Sequence, residues 1–339
     1  MAALLLLLAG CGDDDREYKT SEYVFGTVVD ITIRGVPEAK ARDAVAALAE
    51  GFRRMHKDWH AWKPGGELMR VNDACKTGET VTVSDFTLPL IADAKRYYDL
   101  SDGLFNAAVG EIVAAWGFHA DEPPKGRQPP FDLIRDLAAR HPSMNDIVIN
   151  GDRVTCRNSA VGLDFGGFAK GAALDWAFAQ LKSRGIGNAV ISAGGNVGSI
   201  GSHGKRPWRI GIRDPKKWGV VASVDLMPGE HVYTSGNYER YRDWEGVRHS
   251  HIIDPRTGMT VEHVLSVTVI ADNGSFGDAA STALAVAGPT DWPRIAKRMG
   301  VTKVLMIDDT GTLTVSPSLQ NRLIFPEGEK PALVVRSPE

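Results

Sequence analysis

Ile147-Val-Ile-Asn-Gly-Asp-Arg-Val-Thr-Cys156, followed by Asp164-Phe-Gly-Gly-Phe-Ala-Lys-Gly171 and the apolar run Ala172-Ala-Leu-Asp-Trp-Ala-Phe178, is the stretch that decides the fold class. Its first ten residues read as a β-hairpin, because Asn150-Gly151 suits a two-residue turn with positive φ. A strand ending at Asp164 comes next, then a glycine pair, then a helix from Phe168 to about Arg184. Hairpin followed by helix is not the strand–helix–strand alternation of a doubly wound sheet, so the expected class is α+β with mixed or antiparallel sheets and flanking helices.

The same mixture continues outward. Thr27-Val-Val-Asp-Ile-Thr-Ile33 alternates as a strand, and residues 37–55 place Ala44, Val45, Leu48, Phe52 and Met55 near a 3.6 period. A Trp-rich loop is expected over 56–66, and a helix capped by Ser84 through Tyr98. A helical segment is expected over 107–116, and four prolines over 119–130 predict a surface excursion. Ala189-Val-Ile-Ser192 reads as a buried strand, with short strands around Ile210, Val224, Val232, Ile252 and Val267. Helices are expected over 278–286 and 291–299, and a last hairpin turning at Asp309-Thr-Gly311. No 20–50-residue repeat and no Pro/Ser-rich linker divides the chain, which argues for one continuous architecture.

With 339 residues and 43% hydrophobic content, a packed core is well supplied. A net charge of −3 provides no basic field, which argues against a nucleic-acid partner. Leu4 to Leu8 is too short to span a bilayer and runs into Leu8-Ala9-Gly10-Cys11, a pattern resembling a bacterial lipoprotein signal. Residues 1–10 then read as the signal, Cys11 as the lipidated residue and 11–21 as a polar tether. The protein is expected to be lipid-anchored on the periplasmic face of a membrane, or on the extracellular face where the cell has one membrane. Cys75 and Cys156 remain, either as one disulfide or as two buried thiols.

Glycine-rich and polar knots recur at strand ends. In Asp164 to Gly171, adjacent glycines bare the backbone to a ligand, a helix start favours anions, and Lys170 adds a positive charge. The spacing matches neither a phosphate loop nor a dinucleotide turn. The others are Ser192-Ala-Gly-Gly-Asn196, Thr234-Ser-Gly-Asn-Tyr238, His249-Ser-His-Ile-Ile-Asp-Pro-Arg-Thr-Gly258 and Asp278-Ala-Ala-Ser-Thr282. Each has a plain structural reading: a turn at Gly194-Gly195, a satisfied histidine at 251, a helix cap at Asp278. Asp278, Ser281 and Thr282 nevertheless share one helical face. One carboxylate, hydroxyls and a carbonyl bared at Gly166-Gly167 form an oxygen-only set suited to Mg²⁺ and a pyrophosphate. Ser235, His251 and Asp254 lack the GxSxG elbow of a hydrolase triad.

Taken in order, Asp164-Phe-Gly-Gly-Phe-Ala-Lys-Gly, Gly194-Gly-Asn196, Thr234-Ser-Gly-Asn-Tyr-Glu-Arg, His251-Ile-Ile-Asp-Pro-Arg-Thr-Gly and Asp278-x-x-x-Thr282 resemble the ApbE family of flavin transferases. Phe25-Gly-Thr27, Trp62-Lys-Pro64, Glu67 to Asn72, and Asp102-Gly-Leu-Phe-Asn106 to Trp116-Gly-Phe118 agree, so the resemblance covers residues 22–325 and leaves 326–339 as a tail. It implies a two-lobed, T-fold-like α+β domain that moves FMN from FAD to a threonine of an acceptor flavoprotein, a redox-complex subunit, releasing AMP. It further implies Mg²⁺ held by the Gly167 carbonyl, Asp278 and Thr282 with Ser281 close by. FAD contacts would map to Phe25, Trp62, Leu104, Phe105, Asn106, Asp164, Lys170 and Ile252. His251 is the candidate base, because an unperturbed imidazole titrates near neutrality, and Asp278 is catalytic through the metal.

The chain departs from the family at Phe25, where methionine is usual, and at Trp62, where tyrosine is usual; both keep a large face for stacking on a flavin. Gly65-Gly66 replaces a common Asp-Ser, and Asn106 a common Asp. Two other functions use the same residues: an Mg²⁺-dependent FAD pyrophosphatase, and a non-enzymatic flavin-binding lipoprotein.

Overall fold

The computed structural model describes residues 16–120, 126–329 and 331–338, so the signal, Cys11 and the first part of the tether lie outside the described residues. β1 (Glu17–Val24) and β2 (Thr27–Arg34) form a hairpin, followed by α1 (Glu38–Asp58), α2 (Glu67–Thr77), β3 (Thr80–Thr82), α3 (Leu88–Leu100), α4 (Gly110–Ala115) and α5 (Phe131–Ala139). β4 (Ile147–Asn150) and β5 (Arg153–Cys156) precede α6 (Ala169–Ser183). Then come β6 (Asn188–Ala193), β7 (Asn196–Ile200), β8 (Arg209–Arg213), β9 (Val220–Asp225), β10 (His231–Gly236), β11 (Tyr241–Trp244), β12 (Val247–Ser250) and β13 (Val264–Ala271). α7 (Gly274–Met299), β14 (Val304–Asp308), β15 (Leu313–Val315), α8 (Pro317–Gln320), β16 (Leu323–Ile324) and β17 (Leu333–Val335) complete the chain.

The fold is α+β. Nine strands make the main sheet in the order β1-β2-β6-β7-β10-β13-β14-β15-β17, antiparallel except where β17 runs parallel to β15. Period-2 alternation sends side chains to opposite faces. Ile191, Tyr233, Val267, Val269, Val304 and Met306 meet the helices α1, α6 and α7 in the principal core. Their neighbours Val190, Val232, Ile270, Leu305 and Ile307 face the small sheet β16-β9-β8 in a second core. A third cluster around Trp116, Phe118, Ile134 and Ile253 lies beneath the β11-β12 hairpin side of the molecule.

The long periodic elements stand as expected; α1 buries Ala44, Val45, Leu48, Phe52 and Met55 on one face. Local punctuation differs. α1 runs on to Asp58, shortening the Trp-rich loop. α3 begins at Leu88, and Ser84 spends its hydroxyl and N–H on Glu67 instead of capping. The β4-β5 turn falls one residue late: Asn150 pairs with Arg153, and Gly151 supplies the positive φ. Asp164 ends no strand; Gly162 makes only an isolated bridge to Val109. Ile252 likewise lies outside a strand, beside the bridge between Ile253 and Thr260. The two C-terminal helical segments form one element kinked at Gly288, which starts at Gly274 with Asn273 as its cap, so Asp278 sits in its second turn and caps not this helix but the start of α6. β1 begins at Glu17, within the stretch expected as tether, and β17 uses part of the expected tail.

Cys75 on α2 and Cys156 on β5 form a disulfide with Cα atoms 4.8 Å apart. It closes an 81-residue separation, worth about 4–5 kcal/mol in the chain-entropy account.

Candidate active site

The N-termini of α6 and α7 cross so closely that side chains are excluded. A Cβ on Gly171 would lie 2.0 Å from the Gly274 carbonyl oxygen, and one on Gly274 would lie 2.3 Å from that of Gly171. Asp175 of α6 accepts from the N–H groups of Gly274 (2.7 Å) and Ser275 (3.0 Å), tying down donors that a helix start leaves free. The Gly171 N–H in turn donates to Asp278 Oδ2 at 3.0 Å. This contact brings the loop of Gly166 and Gly167 against the second turn of α7.

Here the four expected oxygen ligands gather. Thr282 Oγ1 donates to the Gly167 carbonyl at 3.3 Å. Ser235 of β10 lies 3.2 Å from Thr282 Oγ1 and 2.7 Å from Ser281 Oγ, which also donates to the Asp278 carbonyl. Asp278 is 3% exposed; burial raises its carboxyl, against the pull of Lys170, the nearby Asn196 amide and the Gly171 N–H. Asn196 is fully buried, and neither of its amide atoms completes a hydrogen bond, despite its approach to Asp278. A buried carboxylate short of positive charge, beside an orphaned amide, fits a cation. The 3.3 Å between Thr282 Oγ1 and the Gly167 oxygen is close to the roughly 3 Å separating neighbouring ligands in an Mg²⁺ octahedron. Among the described residues no three His, Cys, Asp or Glu side chains cluster as a metal site, so this set depends on one carboxylate and neutral oxygens.

The other wall is aromatic. Phe25 occupies the β1-β2 turn at φ +58°, a left-handed conformation uncommon for a bulky residue, and turns its ring edge-on to Phe52 and His56. Trp62 is met edge-on by His60 (4.1 Å between centroids) and flat by His119 (4.4 Å, 18°). His119 Nε2 is 2.8 Å from Asp164 Oδ2. Burial pushes the Asp164 carboxyl up, but the His119 contact and the Gly166 N–H more than offset it, leaving it below the usual range. The Pro-rich excursion is therefore partly a wall of the cleft: Arg240 donates to the Ala120 carbonyl, and Arg242 to those of Trp116 and Arg127.

Lys170 reaches the Gly166 carbonyl at 3.3 Å. Leu104 and Phe105 are buried in the core, with Phe105 packed on Tyr97 and Phe168. Asn106, expected to contact FAD, donates to the Pro142 carbonyl and accepts from the Ala108 N–H, bracing the backbone. Ile252 is 6% exposed, its N–H held by Ser250. No triad forms: Ser235 faces α7, and Asp254 pairs with Arg256.

His251 Nδ1 lies 3.0 Å from the Arg240 carbonyl. A carbonyl only accepts, so Nδ1 carries the proton and Nε2 the lone pair. Burial, then Lys170, pushes this imidazole down to about 4, which corrects the premise of a near-neutral histidine. Sequence reasoning missed His119, hidden by the prolines that follow it.

A profile of the ApbE family matches residues 25–306. An FAD:protein FMN transferase of Rhodobacter capsulatus is 51% identical over 91% of the chain; that relative is longer, and the chain spans 59% of it. One of Klebsiella pneumoniae is 31% identical over 97% of this chain and 98% of its own length. Among solved structures, the ApbE protein of Thermotoga maritima superposes with a TM-score of 0.82 at 32% identity, covering 91% of this chain and 99% of its own. The flavin transferase ApbE of Vibrio cholerae does so at 0.79 and 26%, with the same coverages. On this match and this site, the chain belongs to the ApbE family.

Proposed function

We propose that this chain transfers FMN from FAD to a threonine hydroxyl of an acceptor flavoprotein, with Mg²⁺ at the Asp278 site, and releases AMP. The chain is an enzyme, an FAD:protein FMN transferase, and FAD is its substrate. The carrying observation is the meeting of the Gly167 carbonyl, Asp278, Ser281 and Thr282 at the α6-α7 crossing, with Lys170 on the same loop-to-helix junction.

Mg²⁺ held by the Gly167 carbonyl, Asp278 and Thr282, with Ser281 close by, would supply positive charge to offset that on the phosphoryl group in transfer. The protein's own residues bind and orient. Lys170 supplies a fixed positive charge, and the Asp164–His119–Trp62 array offers a flat wall for a ring of FAD. His251, neutral with its Nε2 lone pair available, accepts a hydrogen bond from the incoming hydroxyl. The nucleophile is the partner's, so the site needs positioning more than covalent chemistry.

The chain is anchored through Cys11 on the periplasmic face of a membrane, or the extracellular face of a single-membrane cell. The Cys75–Cys156 disulfide supports an oxidising compartment. Among the described residues no helix is long and apolar enough to cross a membrane.

Incubation with FAD, Mg²⁺ and a threonine-bearing acceptor domain tests the reading. A mass gain on the acceptor equal to FMN, lost with Asp278→Ala, is expected. AMP and free FMN with an unmodified acceptor would point to the pyrophosphatase, and intact bound FAD to a binding protein.

A further inference from the structure

The start of β1 lies at the opposite end of the sheet from the aromatic wall of the cleft. β1 runs eight residues from Glu17 to Val24, about 25 Å at the usual strand rise, before the turn that carries Phe25. Three further segments converge on Glu17. It pairs with Arg34 at the end of β2 (2.9 Å) and lies 3.2 Å from His203 of the β7-β8 loop. Gly201 of that loop packs so closely on the α6-β6 loop that an added Cβ would lie 2.1 Å from the Gly187 carbonyl oxygen. In the same α6-β6 loop the Gly185 carbonyl accepts from Lys40 of α1 at 3.2 Å.

Five exposed cations stand on these segments: Lys40, then Lys182 and Arg184 where α6 ends, and Lys205 and Arg206 in the β7-β8 loop. Among the described residues no carboxylate pairs with any of the five; Arg184 bonds Gln180 of its own helix. The adjoining acids are taken, Glu17 by Arg34 and Lys19, Glu38 by Arg42, and Asp225 by Arg209. A chain of net charge −3 thus gathers unpaired positive charge at one end. The tether leaves from that end. Cys11 and Arg16 are five residues apart, a stretch that no conformation extends beyond about 18 Å. A lipid on Cys11 therefore holds this end, and not the cleft, close to the headgroups.

We propose that this basic end docks on an anionic phospholipid surface and holds the cleft pointing away from the membrane, open to acceptor proteins. This rests on the lipid-anchor reading. The anchor supplies proximity and the five cations supply orientation. A short tether alone lets the domain tumble, whereas several positive charges on one face next to an anionic leaflet favour a single pose. Screening confines that attraction to about a Debye length, roughly 8 Å at physiological salt, which the tether's reach allows.

The test places the full chain on vesicles of phosphatidylcholine, with and without phosphatidylglycerol, and reads by mass how fast a water-soluble acylating reagent modifies each lysine. The mass of the Cys11 peptide reports its lipid, so the anchor reading is decided separately; a chain without lipid would still be recruited by phosphatidylglycerol. With phosphatidylglycerol, Lys182 and Lys205 should be shielded, while Lys216 and Lys217, beyond the far end of β8, react as before. High salt should abolish the shielding. Arg184→Gln and Arg206→Gln should each lower the ratio of docked to undocked protein about fivefold, with FAD turnover in detergent unchanged. Equal labelling on both vesicles, or shielding that survives the two substitutions together, would overturn the proposal. So would shielding of Lys182 and Lys205 by an acceptor domain added on phosphatidylcholine, which would make this end the acceptor's docking site.

Discussion

Around Asp278 two helix backbones touch directly, whereas around Trp62 the cleft wall is assembled from side chains on separate loops. In the first region Gly171 and Gly274 leave no space for adjustment, and Asp175 and Asp278 lock each helix start to the other. In the second, His119 is placed by a stack, one contact to Asp164 and arginine bonds from β11 and its approach. The proposed charge chemistry thus falls in the rigid half and the proposed ring recognition in the adaptable half. The family departures noted at Phe25 and Trp62 fall in the adaptable half.

The contrast can be broken most forcefully at Asp278. Asp278→Ala should cut transfer by about three orders of magnitude, the equivalent of several kcal/mol of charge stabilisation. It should lower the melting temperature only slightly, because losing the Gly171 N–H bond is offset by removing a carboxyl whose charged form burial disfavours. A melting loss as large as the activity loss would show that Asp278 is a structural brace.

The strand behind the rigid half should be acid-sensitive. His231 of β10 accepts the Ser199 N–H on Nδ1 and stacks on Phe178. Burial pushes it from 6.5 to about 4. The unfolded chain therefore binds the proton first, so the full contribution is present above 6.5 and is lost as pH falls toward 4. The loss reaches roughly 3 kcal/mol, read as a falling urea midpoint that His231→Asn should flatten.

Gly171→Ala comes next, with an expected cost of about 1–3 kcal/mol from forcing the helices apart and a matching loss of Mg²⁺ dependence. Unchanged denaturant stability would mean that the two helix starts part easily enough to admit a methyl group. The smallest effect is expected at the adaptable wall. His119→Ala should raise KM for FAD about fivefold with kcat unchanged, since a stacked ring is worth about 1 kcal/mol.

Much of this was legible beforehand. Periodicity placed α1 and α6, and the ordered motifs named Gly167, Asp278, Ser281 and Thr282, which the fold brings together. The rest was obscured by local signals with several physical outcomes. A serine can cap a helix or, like Ser84, bind a carboxylate on another helix; prolines can mark a free loop or a braced wall.

By itself the sequence determined the fold class, the family and which oxygen-bearing residues would meet at the helix crossing, because those depend on residue type at fixed spacing. Tertiary structure alone decided the titration of His251, the partnership of His119 with Asp164, and the pairing of Cys75 with Cys156. Desolvation and contact between distant segments have no local signature. They arise only when the chain has closed around each group.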